Sequence, residues 1–311
     1  TKLVRRPKDM SLSNKKLCEL LKCEIPSIDE QLNTLKMQKE CKINALDQVS
    51  VDIIPYGIHH IDEDDVAAVV EVLRNGMLTQ GPKVDEFENK VANYVGAKYA
   101  VAVSSGTAAL HLASIALELG NGDEVITSPN TFVATSNSIL YVGARPVFVD
   151  IDKQTLNIDI EQIEKVITSS KNIKAIFPVH FAGLSCDMEK IKQLADKYNL
   201  VIVEDAAHAL GATYYNGSKV GNCQYSDMTI LSFHPVKGIA AGEGGMITTN
   251  DVQLYKKLSY LRSHGINKGN FEFPGISIVD DSLINKYDAL ENGELKRWYY
   301  EMQDLGYNYR I

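Results

Sequence analysis

From about residue 54 onward, short apolar runs alternate with longer runs in which apolar residues recur three or four positions apart. The short runs predict buried strands, and the longer ones predict amphipathic helices. Helices are predicted at Asp62–Arg74, Val84–Tyr94, Thr107–Leu119, Asp159–Thr168 and Met188–Tyr198. Strands are predicted at Tyr99–Val103, Glu124–Ser128, Arg145–Val149, Ala175–Val179, Leu200–Val203 and Thr229–Ser232. This alternation indicates an α/β fold with a mostly parallel sheet and helices on both faces.

The pattern also divides the chain into two parts. Residues 54–311 form the predicted α/β domain, whereas residues 1–50 are rich in lysine and contain a helix-like stretch that begins with capping residues at Ser27. Residues 1–50 are therefore predicted to be a helical N-terminal extension. Between Gly265 and Glu294 the sequence is polar and interrupted by glycine, which predicts a long exposed loop.

The composition excludes several classes of function. The chain has 311 residues, with 32 lysines and arginines against 40 aspartates and glutamates, and its net charge of -8 gives no general attraction to nucleic acid or anionic lipid. No run approaches the roughly 20 apolar residues that span a bilayer. The 5 cysteines form no Cys-x-x-Cys pair, so neither structural zinc nor a disulfide framework is predicted. We therefore expect a cytoplasmic protein without a metal site that binds neither nucleic acid nor membrane.

A junction of small residues follows the first predicted strand. Ser104-Ser105-Gly106-Thr107 joins that strand to a helix, so free backbone N–H groups and the positive end of the helix dipole meet there. Because glycine lets an anion approach the backbone closely, Gly106, Thr107 and Ala108 predict a phosphate site. An ordinary Ser or Thr helix cap explains the same residues equally well.

Two further strands end in side chains that suit a planar ring. Asp205 lies at the edge where open parallel sheets bind ligands, so its carboxylate can hold a metal, orient a base or pair with a pyridinium nitrogen. Capping of a helix from Ala206 onward is the alternative. Phe132 follows the strand that ends at Ser128, and its ring can stack on a heterocycle or pack in the core under the next helix.

A lysine lies beside a glycine-rich turn after another predicted strand. Lys237 follows Ser232-Phe233-His234-Pro235-Val236 and precedes Gly242-Glu243-Gly244-Gly245. A partly dehydrated amine loses its proton more readily and can form a Schiff base with an aldehyde. A solvated surface lysine is the alternative, but the glycines permit a tight backbone path and favour the dehydrated pocket.

Together these residues supply the groups that pyridoxal phosphate (PLP) requires: a phosphate anchor, an aromatic ring for stacking, a partner for the ring nitrogen and an amine for the aldehyde. They are predicted at strand ends of one parallel sheet. No Gly-x-Gly-x-x-Gly and no Gly-x-x-x-x-Gly-Lys-Ser/Thr motif occurs, so neither a dinucleotide site nor a P-loop is predicted. PLP is therefore the predicted cofactor.

Ordered motifs connect the chain to a known family. They are Thr79–Pro82, Ser105–His111, Thr131–Ala134, Glu204–Ala209, Ser232–Lys237, Gly242–Gly245 and Leu305–Arg310. With these motifs, residues 54–311 resemble the sugar aminotransferases of the DegT/DnrJ/EryC1/StrS family, whose fold is the PLP-dependent transferase fold of aspartate aminotransferase type I. Relatives continue beyond the last motif into a small C-terminal domain. The chain is thus expected to contain the PLP-binding large domain, truncated at its C-terminal end and without the small domain.

The resemblance assigns roles around the cofactor ring. It makes Lys237 the catalytic Schiff-base lysine and Asp205 the partner of the pyridinium nitrogen. His208 is expected near the ring, and Phe132 is expected to stack on the ring face. Tyr56 is expected close to the sugar nucleotide.

The resemblance also assigns the phosphate site. Gly106, Thr107, Ala108 and Ser232 are expected to hold the phosphate. Asn308 of the Tyr-Asn-Tyr-Arg motif is expected to reach the phosphate of the neighbouring subunit. This arrangement implies a homodimer with shared sites.

The resemblance implies PLP-dependent transamination of the C4 keto group of a UDP-linked 4-keto-6-deoxy amino sugar, with glutamate as donor, in a pathway of the pseudaminic acid type. The same chemistry on another nucleotide sugar, such as a 4-keto-arabinose or perosamine precursor, and a non-catalytic fragment are the alternatives. Family dehydratases carry histidine where Lys237 stands, so dehydration is not predicted. Separately, Arg6–Lys8 and Asn14–Lys16 resemble part of the C-terminal tail of dTDP-4-dehydrorhamnose reductases, without the catalytic residues of those enzymes.

Overall fold

The structure is a computed structural model that describes residues 59–267, 290–291, 294–295, 300–302 and 304–311. Tyr56, the predicted extension over residues 1–50 and most of the predicted loop between Gly265 and Glu294 lie outside these ranges. In the described ranges no helix is long and apolar enough to cross a membrane.

Helices and strands alternate through most of the described chain. The helices are α1 (Glu63–Asn75), α2 (Pro82–Val95), α3 (Gly106–Ala116), α4 (Ala134–Tyr141), α5 (Ile160–Ser169), α6 (Met188–Tyr198) and α7 (Val252–Arg262). The strands are β1 (Tyr99–Val103), β2 (Glu124–Thr127), β3 (Arg145–Phe148), β4 (Ile173–Phe177), β5 (Val201–Asp205), β6 (Met228–Ser232), β7 (Gly245–Thr249), β8 (Ile266–Asn267), β9 (Leu290–Glu291), β10 (Glu294–Leu295) and β11 (Glu301–Met302). Aspartates cap several helices because their carboxylates accept the free N–H groups of the first turn: Asp62, Asp159, Asp187 and Asp251.

Seven strands form one sheet in the order β1-β7-β6-β5-β4-β2-β3. Strand β7 runs antiparallel to both of its neighbours, and the other pairs in the sheet are parallel. The C-terminal ends of β1, β2, β5 and β6 therefore lie at the same edge of the sheet. This is the edge at which open α/β sheets place their ligands.

Alternate strand residues face two hydrophobic cores on opposite sides of the sheet. Ile202 and Leu231 pack on one side with α2, α5 and α6. Val203 and Ile230 pack on the other side with α3, α4 and α7. All four are at most 1% exposed, and burying each side chain contributes about 1.5–3 kcal/mol. The predicted α/β fold with helices on both faces is confirmed.

The predicted strands and helices recur within a few residues, but some of the predicted ends are wrong. Helix α3 ends at Ala116 rather than Leu119, because Glu118 adopts a left-handed conformation (φ 57°) that interrupts a helix. The predicted loop from Gly265 to Glu294 has strands at both margins, where β8 pairs with β11 and β9 pairs with β10. The pattern also did not predict α4, β7 and α7.

Strands β4 and β5 end at other residues than predicted, and the end of β5 determines the position of Asp205. Strand β4 ends at Phe177, since Pro178 has no N–H to continue the ladder. The ladder resumes as a single parallel bridge between Val179 and Asp205. Strand β5 therefore reaches Asp205 instead of ending at Val203.

Candidate active site

The N-terminus of α3 presents free backbone amides at the ligand edge. The Ser105 side chain caps the helix by accepting the N–H of Ala108 at 3.1 Å. The amides of Gly106 and Thr107 have no hydrogen-bond partner within the described residues, as expected for a first helical turn. The cap and the predicted phosphate site therefore coexist, because the cap uses only the third amide of the turn.

Ser232 borders these amides. A Cβ on Gly106 would lie 3.1 Å from Ser232 Cβ and 3.3 Å from its Oγ. A side chain at position 106 would thus fill the space between the helix N-terminus and the hydroxyl group. Free amides, a hydroxyl donor and the positive end of the helix dipole together fit a phosphate group.

Asp205 is held rigidly at the end of β5, and its side chain is 5% exposed. Its Oδ1 accepts the N–H of Ala207 at 3.2 Å, and its Oδ2 accepts the hydroxyl of Thr135 at 2.6 Å. No helix begins at Ala206, so Asp205 caps a turn instead of the predicted alternative helix. Thr135 is a site residue that the sequence pattern did not reveal, because its contact with Asp205 spans 70 positions of sequence.

Lys237 lies in the loop that joins β6 to β7. A turn hydrogen bond from its amide to the His234 carbonyl (2.8 Å) fixes its backbone. Burial lowers the pKa of the Lys237 amine, and the negative charge of Asp205 opposes this shift. Lys237 is therefore partly buried, and the charge of the predicted carboxylate, Asp205, acts on its amine.

His208 lies within electrostatic range of both groups. Partial burial and the charge of Lys237 lower the pKa of the His208 ring, while Asp205 opposes the shift. The charges of Lys237 and Asp205 both act on the His208 ring, and His208 follows Asp205 by three residues after β5, so the three predicted residues lie at the same edge of the sheet.

Phe132 and Asn308 have exposed side chains. Phe132 is 72% exposed at the start of the α4 region, so the alternative of a core phenylalanine is wrong. Asn308 forms a backbone bridge with Ser263, and the adjacent Tyr309 carbonyl accepts the N–H of Ser104 at 2.8 Å. The Tyr-Asn-Tyr-Arg segment is therefore anchored next to the phosphate-binding turn.

The predicted groups share one sheet edge, but their strands are not all neighbours. Lys237 and Asp205 follow the adjacent strands β6 and β5. Strand β7 separates β6 from β1, which leads to the phosphate-binding turn, and β4 separates β5 from β2, which leads to Phe132. The resulting order along the edge is phosphate turn, lysine, carboxylate and aromatic ring.

A buried polar cluster supports β5 behind Asp205. The Glu204 carboxylate is fully buried and accepts hydrogen bonds from His180, Tyr214, Ser226 and Thr229. Burial alone would raise the pKa of Glu204, but these donors lower it overall. Backbone bonds from His180 N–H to Asp205 O (3.0 Å) and from Asp205 N–H to Pro178 O (2.9 Å) connect the cluster to the site.

The hydrogen bonds assign the proton of His180. Burial lowers the pKa of the ring, but the contacts with Cys186 and Glu204 outweigh burial and raise the pKa overall. However, Nδ1 accepts the Cys186 backbone N–H at 3.1 Å and therefore needs a lone pair. The single ring proton lies on Nε2, which donates to Glu204 Oε2 at 2.7 Å. The ring is held as the neutral Nε2–H tautomer.

Comparisons with known proteins identify the family. The family model described as the DegT/DnrJ/EryC1/StrS aminotransferase family matches residues 59–311. The chain is 44% identical over 254 residues to the spore coat polysaccharide biosynthesis protein SpsC of Bacillus subtilis, covering 82% of this chain and 59% of that protein. It is 40% identical over 260 residues to the UDP-4-amino-4,6-dideoxy-N-acetyl-beta-L-altrosamine transaminase of Campylobacter jejuni, covering 83% of this chain and 61% of that protein.

A solved structure gives the same result for the fold. The sugar aminotransferase Spr1654 from Streptococcus pneumoniae in its PMP form matches with a TM-score of 0.69 and 33% identity, covering 82% of this chain and 63% of that chain. The chain thus spans less than two thirds of the length of these relatives. Aminotransferases of the matched family use PLP. The chain belongs to the DegT/DnrJ/EryC1/StrS aminotransferase family.

Proposed function

We propose that the chain binds PLP and transfers an amino group to the C4 keto group of a UDP-linked 4-keto-6-deoxy amino sugar, with glutamate as donor. The observation that carries the proposal is the position of Lys237 after β6 and of Asp205 at the end of the adjacent strand β5, at the same edge of the sheet. A half-buried amine with a lowered pKa lies within electrostatic range of a rigid carboxylate, at the edge that also holds the phosphate-binding turn.

Each part of PLP has a counterpart in the chain. The free amides of Gly106 and Thr107 and the Ser232 hydroxyl would hold the phosphate, and Ala108 completes the same turn with its own N–H donated to the Ser105 cap. Phe132 offers an exposed ring for stacking, and His208 borders the same space. The chemistry that PLP supplies when bound is a covalent link to amines and a ring that withdraws electrons from the adjacent carbon.

The protein's own part in catalysis rests on Lys237 and Asp205. The Lys237 amine would carry the cofactor at rest and, once displaced by the amino donor, would take a proton from the donor's α-carbon, so that the donor leaves as a keto acid, and would later deliver a proton to C4 of the sugar. A lowered pKa suits both tasks, because an unprotonated amine is both the nucleophile and the base. Asp205 would stabilise a proton on the ring nitrogen and so maintain the ring's electron demand.

The substrate proposal is supported by the C. jejuni relative, whose name describes an amino group at C4 of a UDP-sugar. We accordingly place the activity in a pathway of the pseudaminic acid type. Tyr56 is proposed to contact the sugar nucleotide.

The assembly is proposed to be a cytoplasmic homodimer with shared sites. Asn308 would reach the cofactor phosphate of the neighbouring subunit. The Asn308 side chain is exposed and makes no hydrogen bond within the described residues, which supports this role. The Asn308 backbone is held by a bridge with Ser263.

An absorbance titration of the full chain with PLP tests the proposal. The wild-type chain should develop the band of covalently bound cofactor, and glutamate should remove it. Lys237→Ala should abolish the band, whereas the exposed Lys165→Ala on α5 should retain it. An unchanged spectrum in Lys237→Ala contradicts the assignment, and a wild-type chain that never develops the band favours a non-catalytic fragment. A panel of UDP-linked 4-keto sugars, with 4-keto-arabinose and perosamine precursors included, identifies the substrate.

A further inference from the structure

Thr135 makes the closest side-chain contact to the Asp205 carboxylate. Thr135 is fully buried in the first turn of α4, and its Oγ1 lies 2.6 Å from Asp205 Oδ2 across 70 positions of sequence. A second hydroxyl, that of Thr131, lies 2.8 Å from Thr135 Oγ1. These three groups form a continuous polar chain from the segment beside Phe132 to the carboxylate.

The direction of each proton in this chain follows from the chemistry of the groups. A carboxylate oxygen only accepts, and Asp205 Oδ2 at 2.6 Å is closer to Thr135 Oγ1 than the Phe132 carbonyl oxygen at 3.3 Å, so the single hydroxyl proton of Thr135 is donated to Asp205 Oδ2. The Thr135 oxygen then has lone pairs but no second proton. Thr131 must therefore donate its own proton to Thr135, which makes the chain Thr131 to Thr135 to Asp205.

The remaining polar groups of Asp205 also have partners, apart from the unused lone pairs of the carboxylate. Its N–H bonds to Pro178, its carbonyl accepts from His180, and Oδ1 accepts from Ala207. A carboxylate has about four lone-pair positions, and the described residues fill two of them. Thr135 and the Ala207 amide together fix the plane of the carboxylate and leave one lone pair on each oxygen for a ring N–H.

We propose that Thr135 is a positioning residue that orients the Asp205 carboxylate toward the cofactor ring, and that Thr131 links this carboxylate to the segment that carries Phe132. The inference rests on the proposed PLP site and adds to it the residue that sets the carboxylate's orientation. The ring-nitrogen partner and the ring-stacking side chain are thereby connected through hydroxyl groups, so that the two are positioned together.

The affinity of the full apo-chain for PLP tests the role of the hydroxyl. Thr135→Val keeps the branched shape and removes the donor, whereas Thr135→Ser keeps the donor and removes a methyl group. We expect Thr135→Val to weaken PLP binding by about 10-fold or more, because a hydrogen bond to a charged group is lost. Thr135→Ser should stay within about 3-fold of wild type. The PLP affinity of Thr131→Val should lie between those of Thr135→Ser and Thr135→Val, since this change removes only the hydroxyl that donates to Thr135.

A double-mutant cycle on the apo-chain tests the contact without any cofactor. Thr135→Val and Asp205→Asn are measured by thermal unfolding, singly and together. Coupling predicts that each variant alone lowers the melting temperature by about 2–6 °C and that the two losses are not additive. Additive losses overturn the proposed contact.

The two measurements separate the possible failures. Wild-type affinity in Thr135→Val, or equal losses in Thr135→Ser and Thr135→Val, overturns the positioning role while the PLP site stands. A wild-type chain that does not bind PLP overturns the proposed function and with it the positioning role, even if the cycle shows that the contact exists.

Discussion

Gly245 packs directly against the backbone of Ser105: a Cβ on Gly245 would lie 2.3 Å from the Ser105 carbonyl oxygen and 2.7 Å from the Gly106 nitrogen. The first residue of β7 therefore supports the turn that presents the free amides of α3. No rotamer change relieves such an overlap, because both of the groups met by the added atom are backbone.

Gly245→Ala should consequently destabilise the protein by about 3 kcal/mol or more through overpacking, and it should abolish PLP binding by displacing the phosphate-binding turn. Urea unfolding and PLP titration measure the two effects. Gly238→Ala is the matched control, because a Cβ there meets nothing within 4 Å. Equal stability in the two variants would show that β7 does not support the turn.

The main site residues could be predicted because each follows from local sequence. Asp205 lies at the end of one apolar strand and Lys237 comes five residues after another, and the C-terminal ends of parallel strands share one edge whatever the strand order. The phosphate-binding turn was predictable for the same reason, since a strand, small residues and a helix are consecutive at Ser104–Thr107.

The supporting contacts could not be predicted, because they depend on packing between distant segments. Thr135 reaches Asp205 only because α4 lies on the sheet near the end of β5. Gly245 approaches Ser105 only because β7 inserts antiparallel between β6 and β1, and this strand was not predicted from the pattern. Periodicity identifies elements and their apolar faces, but strand order and close backbone approaches are properties of the assembled sheet.

Attachment of PLP should depend on pH through the Lys237 amine. Burial lowers the pKa of this amine from its ordinary value of 10.5, so the unprotonated fraction that reacts with an aldehyde rises with pH with a midpoint below 10.5. Stopped-flow absorbance of PLP binding to the full apo-chain measures the midpoint. Asp205→Asn removes the opposing charge and should move the midpoint to lower pH. A wild-type midpoint at or above 10.5 would contradict burial of the amine.

Glu204→Gln should strongly destabilise the chain. The Glu204 carboxylate accepts from four donors, among them Tyr214 and the Nε2–H of His180, and an amide would direct its own N–H groups at some of these donors. The expected loss in urea unfolding is about 3 kcal/mol. Glu164→Gln on α5, which weakens only a partly exposed ion pair with Lys197, should lose far less stability. A small effect of Glu204→Gln would mean that the cluster is not the rigid support of β5.

Arg262 and Glu88 cover the free edge of β1, and their removal should have a pH-dependent effect. Glu88 Oε1 accepts the N–H of Ala102 at 2.8 Å, and Arg262 donates to Glu88 and to the Ala102 carbonyl. Burial raises the pKa of Glu88, while Arg262 and the Ala102 amide oppose the shift. The folded chain thus retains a proton at pH values where the unfolded chain has lost it, and the free energy of unfolding falls as pH rises above about 4.5.

Arg262→Ala removes the main opposing charge, so the pKa of Glu88 should rise further and the fall in stability should steepen. We expect a loss of about 3 kcal/mol in urea unfolding at pH 8 and a smaller loss at pH 5, where the buried carboxyl can take up a proton. Adding Glu88→Gln to Arg262→Ala removes the titrating group and should make the loss nearly equal at the two pH values. If Arg262→Ala alone shows equal losses at both pH values, Glu88 does not titrate in the folded chain, and Arg262 acts through its hydrogen bond to Ala102.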